Sequence, residues 1–180
     1  MVKIRKCVGL FPSLIVLMRI LFGVGWLLAG VTKITDKLWF SEPGLFLKDY
    51  LINSLQKSNV PPFYKVFLEN IALEHVMVLN YVIPIAQIIL GIFLIVGLFT
   101  IPSILSCLFM HINFILSGNI NLISLILYTS AFSLIIFRSN IYYFSLDKYF
   151  KLDTLFVIYE KEGKRTASIP SNKEKNYSSS

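Results

Sequence analysis

Three polar side chains, Arg19, Gln87 and His111, lie within long apolar stretches of the sequence. Burying a guanidinium in hydrocarbon costs roughly 3 kcal/mol or more unless the group is paired or hydrated. A lone amide at that depth also needs a hydrogen-bond partner. The three residues could therefore share one polar pocket that binds an anion or a carbonyl group. They could equally make separate hydrogen bonds that hold neighbouring helices together, each worth about 1 kcal/mol.

The position of Arg19 leaves a second choice open. By helical rise it lies about 13 Å from Leu10, where its apolar stretch begins. The guanidinium could face neighbouring helices as part of a buried network, or it could reach back to the nearer headgroups.

Other kinds of chemistry lack their usual sequence patterns. The two histidines, His75 and His111, are not spaced with acidic or thiol residues as metal or haem ligands would be, and Cys7 and Cys107 form no CxxC pair. The sequence contains no phosphate-binding glycine loop, dinucleotide fingerprint or nucleophile elbow. We therefore expect no metal, no flavin and, because the basic residues are not clustered on one helix, no nucleic-acid partner.

The elements that must position these residues are predicted to be transmembrane helices. Of the 180 residues, 56% are hydrophobic and only 15% are charged, and the mean hydropathy is +0.70, which indicates a lipid bilayer as the surroundings. Apolar stretches predict spans at about 10–31, 76–98, 101–116 and 121–137. The predicted fold is all-α, an integral membrane four-helix bundle within residues 1–150. Small residues at Gly23, Gly25, Ala29, Gly30, Gly91 and Gly97 would allow close helix packing.

The loop between the first two spans, residues 34–75, is predicted to contain short interfacial helices. One covers about 44–56, and another follows Pro62 with Phe63, Val66, Phe67 and Ile71 on one side. An extended loop touching lipid is the alternative. Basic residues are in excess in both terminal flanks and not in this loop, which predicts a multi-pass cell-membrane protein with both termini cytoplasmic. Residues 151–180 are expected to form a polar cytoplasmic tail, partly disordered.

Several stretches resemble the DoxX/DoxD-like membrane family. They are Arg19, Gly23, Trp26, Gly30 and Lys33 in the first span, QIILGIFLIVGLFT from Gln87 to Thr100, INF from Ile112 to Phe114, and YYFSLDKYF from Tyr142 to Phe150. The resemblance covers roughly 14–150 and includes an outer loop of the long, DoxD-like kind.

This resemblance implies a DoxD-like membrane subunit of a quinone-reducing complex, thiosulfate:quinone oxidoreductase, paired with a DoxA-like second subunit. Thiosulfate, a small sulfur anion, would be oxidised to tetrathionate, and quinone would accept the electrons. In a protein of this kind Arg19 and Lys33 would hold anionic or quinone oxygens, and Gln87 and His111 would donate hydrogen bonds to the quinone carbonyls. Trp26 would stack on the quinone or anchor it, and Asn113, in the same span as His111, is also expected in the binding site. The family often has Glu in the second span where this chain has Gln87, so an Arg–carboxylate pair is missing there.

Two other functions stay open at this stage. The chain could be a non-catalytic DoxX-like membrane module that assembles or stabilises another redox complex. A small-molecule channel or transporter is the third class, although it would call for more polar or broken helices within the membrane.

Overall fold

The computed structural model describes residues 2–142 and 145–150, and in that part of the chain it is helical without strands. The helices are α1 (Val2–Thr35), α2 (Leu45–Gln56), α3 (Pro62–Phe67), α4 (Val76–Val96), α5 (Thr100–Leu116), α6 (Leu122–Ile136), α7 (Arg138–Ile141) and α8 (Leu146–Tyr149). The prediction of an all-α fold is confirmed. The predicted polar tail lies outside the described residues.

Four of these helices correspond to the four predicted spans. Within α1, residues Leu10–Thr35 are long and apolar enough to cross a membrane, and so is α4; α5 and α6 are shorter apolar helices. The side chain of Asn121 caps α6 by accepting a 2.8 Å hydrogen bond from the backbone N–H of Ser124, as the turn residues before this helix predict. Local sequence therefore accounts for the start of α6.

Helices α1 and α4 pack closely through glycines. A Cβ atom added at Gly91 would lie 2.6 Å from the backbone nitrogen of Leu27 and 2.8 Å from the carbonyl oxygen of Gly23, and one added at Gly30 would lie 2.8 Å from a backbone oxygen of α4. By contrast, Gly25 has no atom within 4 Å of such a position. Close contact therefore runs through Gly23 and Gly30, and the expected role of Gly25 in it is wrong.

The connection between α4 and α5 is a tight turn, and we call this side of the molecule the hairpin end. Gly97 and Phe99 both have positive φ angles, 71° and 46°, and the backbone N–H of Leu98 bonds to the carbonyl oxygen of Phe93 at 2.8 Å. Glycine meets no steric penalty in this conformation, which ends a helix and reverses the chain. The two helices are thus antiparallel, as so short a link predicts.

The opposite side is the roofed end, because α2 and α3 fold over the helices there. The chain after α3 continues as a π-helical turn, Leu68–Ala72. The side of α3 and of this turn that faces the bundle consists of Tyr64, Leu68 and Ala72. All three are buried, and they pack with residues of α2. The side predicted to be the apolar face, containing Phe63 and Val66, is exposed at 67% and 57%. This short helix has two apolar sides, and periodicity did not reveal which one contacts the protein.

The exterior of the long helices is strongly apolar. Leucine, isoleucine and phenylalanine side chains more than half exposed include Leu14, Leu21, Leu28, Leu105, Phe109, Ile123, Leu125, Ile126 and Ile136. Soluble proteins rarely expose so much contiguous apolar surface. Inside, Phe22, Trp26, Leu94, Ile104 and Cys107 form a closed core between the helices.

Candidate functional site

Arg19 lies at the hairpin end and is only 1% exposed. Its Nη1 atom donates a 2.7 Å hydrogen bond to the carbonyl oxygen of Ile141, the last residue of α7. A Cβ atom added at Gly97 would lie 2.5 Å from Cβ of Ser145 and 2.7 Å from the same nitrogen of Arg19, so glycine at this position lets both side chains pack against the turn. Asp147 attracts Arg19 electrostatically. The guanidinium thus lies among neighbouring helices and connects α1 to the chain after α6.

Asp147 is the partner that sequence reasoning missed. Its side chain is 2% exposed, and its two carboxylate oxygens accept hydrogen bonds of 2.7 and 2.8 Å from the backbone N–H groups of Phe99 and Thr100. Its own N–H donates a 2.9 Å bond to the carbonyl oxygen of Gly97. A carboxylate at the first N–H groups of a helix is favourable because those donors have no partner within the helix. Asp147 therefore caps α5 from a distant part of the chain.

The middle of the bundle contains Trp26, Gln87 and His111. The imidazole ring of His111 lies 6.4 Å from the indole of Trp26, and its Nε2 is 3.0 Å from the carbonyl oxygen of Ser124. Gln87 is 1% exposed. Among the described residues, Oε1 of Gln87 and Nε1 of Trp26 have no hydrogen-bond partner. Such atoms are places where a water molecule or a ligand group can bind.

Arg19 does not share a pocket with Gln87 and His111. Because α1 and α4 are antiparallel, Arg19 lies beside Gly97, and Gln87 is ten residues earlier on α4, about 15 Å along the axis. Trp26, which contacts His111, is seven residues beyond Arg19 on α1, about 10 Å away. Of the two alternatives that the sequence left open, the pocket shared by all three residues is therefore wrong, since the register of the two helices separates Arg19 from the other two.

Lys33 lies near the roofed end and contacts aromatic rings. Its ammonium nitrogen is 5.4 Å from the centre of the Phe114 ring and 5.9 Å from that of Trp39. It also donates a 3.2 Å hydrogen bond to the carbonyl oxygen of Ala29. A cation over aromatic faces is stabilised by about 0.5–2 kcal/mol. Lys33 is therefore held behind Phe114, which itself lines a cavity.

That cavity, the roofed cavity, lies between the roof and helices α4 and α5 and has a volume of about 200 Å³. The residues lining it include Tyr50, Leu51, Tyr64 and Leu68 from the roof, Leu79 and Ile83 from α4, and Phe109, Met110, Asn113, Phe114 and Ser117 at α5. Most of its wall is apolar. Gln87 follows the lining residue Ile83 by one helical turn, toward the hairpin end of α4.

Four of the side chains that line the roofed cavity carry polar groups, and these groups bond to one another or to the backbone. The hydroxyl groups of Tyr50 and Ser117 are 2.5 Å apart; since Ser117 donates its proton to the carbonyl oxygen of Phe114, Tyr50 is the donor of that pair. The hydroxyl of Tyr64 donates to both the backbone oxygen and Oδ1 of Asn113, at 3.1 Å each. A proton shared between two such distant acceptors is weakly held by either. Tyr64 can therefore turn its hydroxyl toward another acceptor at small cost.

Burial makes both phenols poor acids. It raises the pKa of Tyr64 to about 12 and also raises the pKa of Tyr50, in which the hydrogen bond to Ser117 opposes the shift. Removing the proton would place a phenolate in an apolar wall. Tyr64 therefore remains a hydrogen-bond donor throughout the physiological pH range.

The roofed cavity thus involves only some of the predicted residues. Asn113 lines it, and Lys33 contacts one of its lining side chains. The described residues that line it do not include Gln87, His111 or Trp26, and Arg19 lies at the other end of the bundle. The sequence did not predict Tyr50, Tyr64 or Ser117 as site residues. The only signal for the two tyrosines was their place in the amphipathic loop helices, and Tyr64 lies on the side of α3 opposite the predicted apolar face. Among residues 2–142 and 145–150, no three His, Cys, Asp or Glu side chains are grouped to hold a metal ion.

Comparisons of the chain with protein-family models, with curated proteins and with solved structures find no match. The resemblance to the DoxX/DoxD-like family therefore stays a prediction.

Proposed function

We propose that the chain is a four-helix membrane bundle with both termini cytoplasmic and the roof on the outer face. Two of its helices have the length and apolarity of membrane spans. With its 17 residues α5 is about 25 Å long, and α6 continues after one residue into α7. The apolar exterior supports the same arrangement. Thiol labelling of intact cells tests it: a cysteine at exposed Asn59 should react with an impermeant reagent, and one at Lys3 should not. The opposite pattern would reverse the topology.

We propose further that this bundle binds a quinone in the roofed cavity. The observation that carries the proposal is an almost wholly apolar space of about 200 Å³ whose lining residues include side chains with hydroxyl and amide groups. An apolar cavity of about 150 Å³ accepts benzene, so one substituted ring fits here. Quinones partition into membranes and carry carbonyl oxygens that need donors.

Tyr64 is the donor proposed for a quinone carbonyl. Its hydroxyl now bridges two oxygens of Asn113, and the side-chain N–H₂ of Asn113 donates to the carbonyl oxygen of Phe109 at 2.8 Å. Turning the Tyr64 hydroxyl toward a ligand leaves the Asn113 side chain anchored by that second bond. The cavity can therefore exchange an internal hydrogen bond for one to the ring without rearranging its wall.

The redox reaction proposed for this site is that of a DoxD-like subunit of thiosulfate:quinone oxidoreductase. Joining a pair of thiosulfate ions into tetrathionate releases a pair of electrons, which with a pair of protons convert quinone to quinol. A DoxA-like second subunit would deliver the electrons. The role of this chain is to hold the quinone ring within the membrane at the roofed end, close to the cationic Lys33.

Quinone binding to the purified chain in lipid nanodiscs tests this proposal. Replacing Tyr64 with phenylalanine removes one neutral hydrogen bond and should weaken binding about fivefold. Tyr81→Phe is the matched control, because Tyr81 is 41% exposed on α4 and should not matter. Absence of binding by the wild-type chain, or equal weakening by the two variants, would overturn the proposal. Thiosulfate-dependent quinone reduction by membranes containing the chain and its partner then tests the reaction.

A non-catalytic module that assembles another redox complex is the second candidate. The specific observation in its favour is that Arg19, the most costly residue to bury, bonds to the Ile141 carbonyl and lies near Asp147 at the hairpin end. These contacts account for the burial of Arg19 without any role in binding a ligand. If this candidate is right, deleting the chain should lower the amount of the assembled partner complex, and variants of the roofed cavity should restore that amount fully.

A further inference from the structure

A groove runs along the outside of the molecule between α4 and α5. Its volume is about 580 Å³, and residues lining it include Ala86 and Ile89 on α4 and Leu105 and Ser106 on α5. Ile89 and Leu105 are 44% and 51% exposed, so the groove opens away from the core. In the proposed membrane orientation it faces lipid. We call it the lateral groove.

The lateral groove and the roofed cavity share two side chains. Phe109 and Met110 line both of them, so this pair alone forms the boundary between the two spaces on α5. Phe109 is 69% exposed, and no neighbouring helix covers most of its ring. Phe109 is thus the exposed part of the boundary between the groove and the cavity.

The distances along α5 fit a ligand that occupies both spaces. Leu105 in the groove and Asn113 in the cavity are separated by two turns of helix, about 12 Å along its axis. Phe109 lies midway between them. A ring hydrogen-bonded near Asn113 would therefore have its substituent directed past Phe109 along the groove.

We propose that the lateral groove binds the hydrocarbon tail of the ligand, a prenyl-type chain, while the ring lies in the roofed cavity. Phe109 and Met110 would then form the lateral opening through which the ring enters from the bilayer. This inference rests on the proposed quinone site. The apolar lining and the continuity through two shared side chains favour a tail attached to that ring over a separate occupant.

Moving the tail from lipid into the groove gives no hydrophobic free energy, because the tail is already out of water and lipid is as apolar as the groove. The gain comes from packing against a preformed surface. We therefore expect a quinone with two prenyl units to bind about fivefold more tightly than the same ring without a tail, once both concentrations are expressed per lipid.

The experiment compares these two quinones in nanodiscs containing the wild-type chain or Ser106→Trp, which fills the groove. The variant should lose the fivefold advantage of the tail and keep the wild-type affinity for the ring alone. Thr129→Trp is the matched control, since Thr129 is an exposed hydroxyl residue on α6, and it should keep both affinities. Ala86→Leu narrows the groove from α4 and should reproduce the effect of Ser106→Trp.

The outcomes separate the two proposals. If the ring alone does not bind the wild-type chain, the proposed function fails and this inference fails with it. If the ring binds but the tail adds nothing, or if Ser106→Trp and Ala86→Leu preserve the advantage of the tail, the inference is overturned and the quinone site remains. If both groove variants weaken the two ligands equally, they act on the cavity, and the groove is not a tail site.

Discussion

Replacing Gly91 with alanine should force α1 away from α4. The added Cβ atom would lie 2.6 Å from the backbone nitrogen of Leu27 and 2.8 Å from the carbonyl oxygen of Gly23, whereas ordinary carbon contacts are about 3.5–4 Å. Both neighbours are backbone atoms, so a change of rotamer cannot relieve the clash. Overpacking of this kind costs about 1–3 kcal/mol, and alanine in a helix regains about 0.5–1 kcal/mol. The expected net loss in the free energy of unfolding is about 1–2 kcal/mol.

Gly25→Ala is the matched control for this prediction. Gly25 lies on α1, and an added Cβ atom there meets nothing within 4 Å. Only the helix propensity of alanine should act, so this variant should be as stable as the wild type or more stable by up to about 1 kcal/mol. Unfolding in mixed micelles with increasing SDS, followed by circular dichroism, measures both free energies. A Gly91→Ala protein as stable as the wild type, or equal destabilisation by both variants, would refute the close packing of α1 on α4.

Three further predictions concern the two ends of the bundle. Asp147→Asn leaves one acceptor oxygen for two backbone N–H groups, so it should destabilise the protein by about 1–2 kcal/mol in the same assay. The control Asp49→Asn, at an exposed position, should not change the stability. Equal stability of the two variants would exclude the capping role of Asp147. Arg19→Leu should lower the free energy of unfolding by about 3 kcal/mol or more but leave the quinone affinity of the folded protein unchanged. A selective loss of quinone affinity would show that Arg19 belongs to the binding site. Because burial disfavours the phenolate, Tyr64 should keep its proton below its pKa of about 12. The difference in ultraviolet absorbance between the wild type and Tyr64→Phe, followed against pH in the alkaline range, measures the titration of Tyr64. A titration midpoint near pH 10 would contradict the prediction.

The long helices could be predicted from the sequence because each depends on its own composition. A long apolar stretch without charged residues predicts the start of α4 and places its end within two residues. The short link at Phe99 and Thr100, with Pro102 just after it, predicts the turn into α5. These signals are local, and so is the N-cap at Asn121. The start of α1 was predicted less well, since the helix begins eight residues before Leu10, within a basic flank that hydropathy alone does not assign to a span.

The capping role of Asp147 could not be predicted in the same way. In the sequence it lies among aromatic and basic residues, a pattern typical of an interfacial anchor. Its carboxylate instead bonds to backbone N–H groups of Phe99 and Thr100, nearly fifty residues earlier. No periodicity reports a contact of this kind. The same limit applies to Arg19, whose cost of burial was correctly identified and whose partners were not.

The roofed cavity also could not be predicted from sequence patterns. Its polar groups come from two loop helices and from α5, and they meet only because the roof folds back over the bundle. For α3 the sequence offered two apolar sides, and the side with Tyr64 proved to face inward. Asn113 was singled out from its position in a span, but its partner, Tyr64, was not.

Photochemical crosslinking tests the quinone site in the roofed cavity most directly. A benzoquinone carrying an azide would be irradiated with the chain in nanodiscs, and the modified peptides would be identified by mass spectrometry. We predict labels within residues 50–68 and 109–117, abolished by an excess of unlabelled quinone. Labels confined to the hairpin end around Arg19, or spread along the apolar exterior and unaffected by competition, would contradict a quinone site beneath the roof.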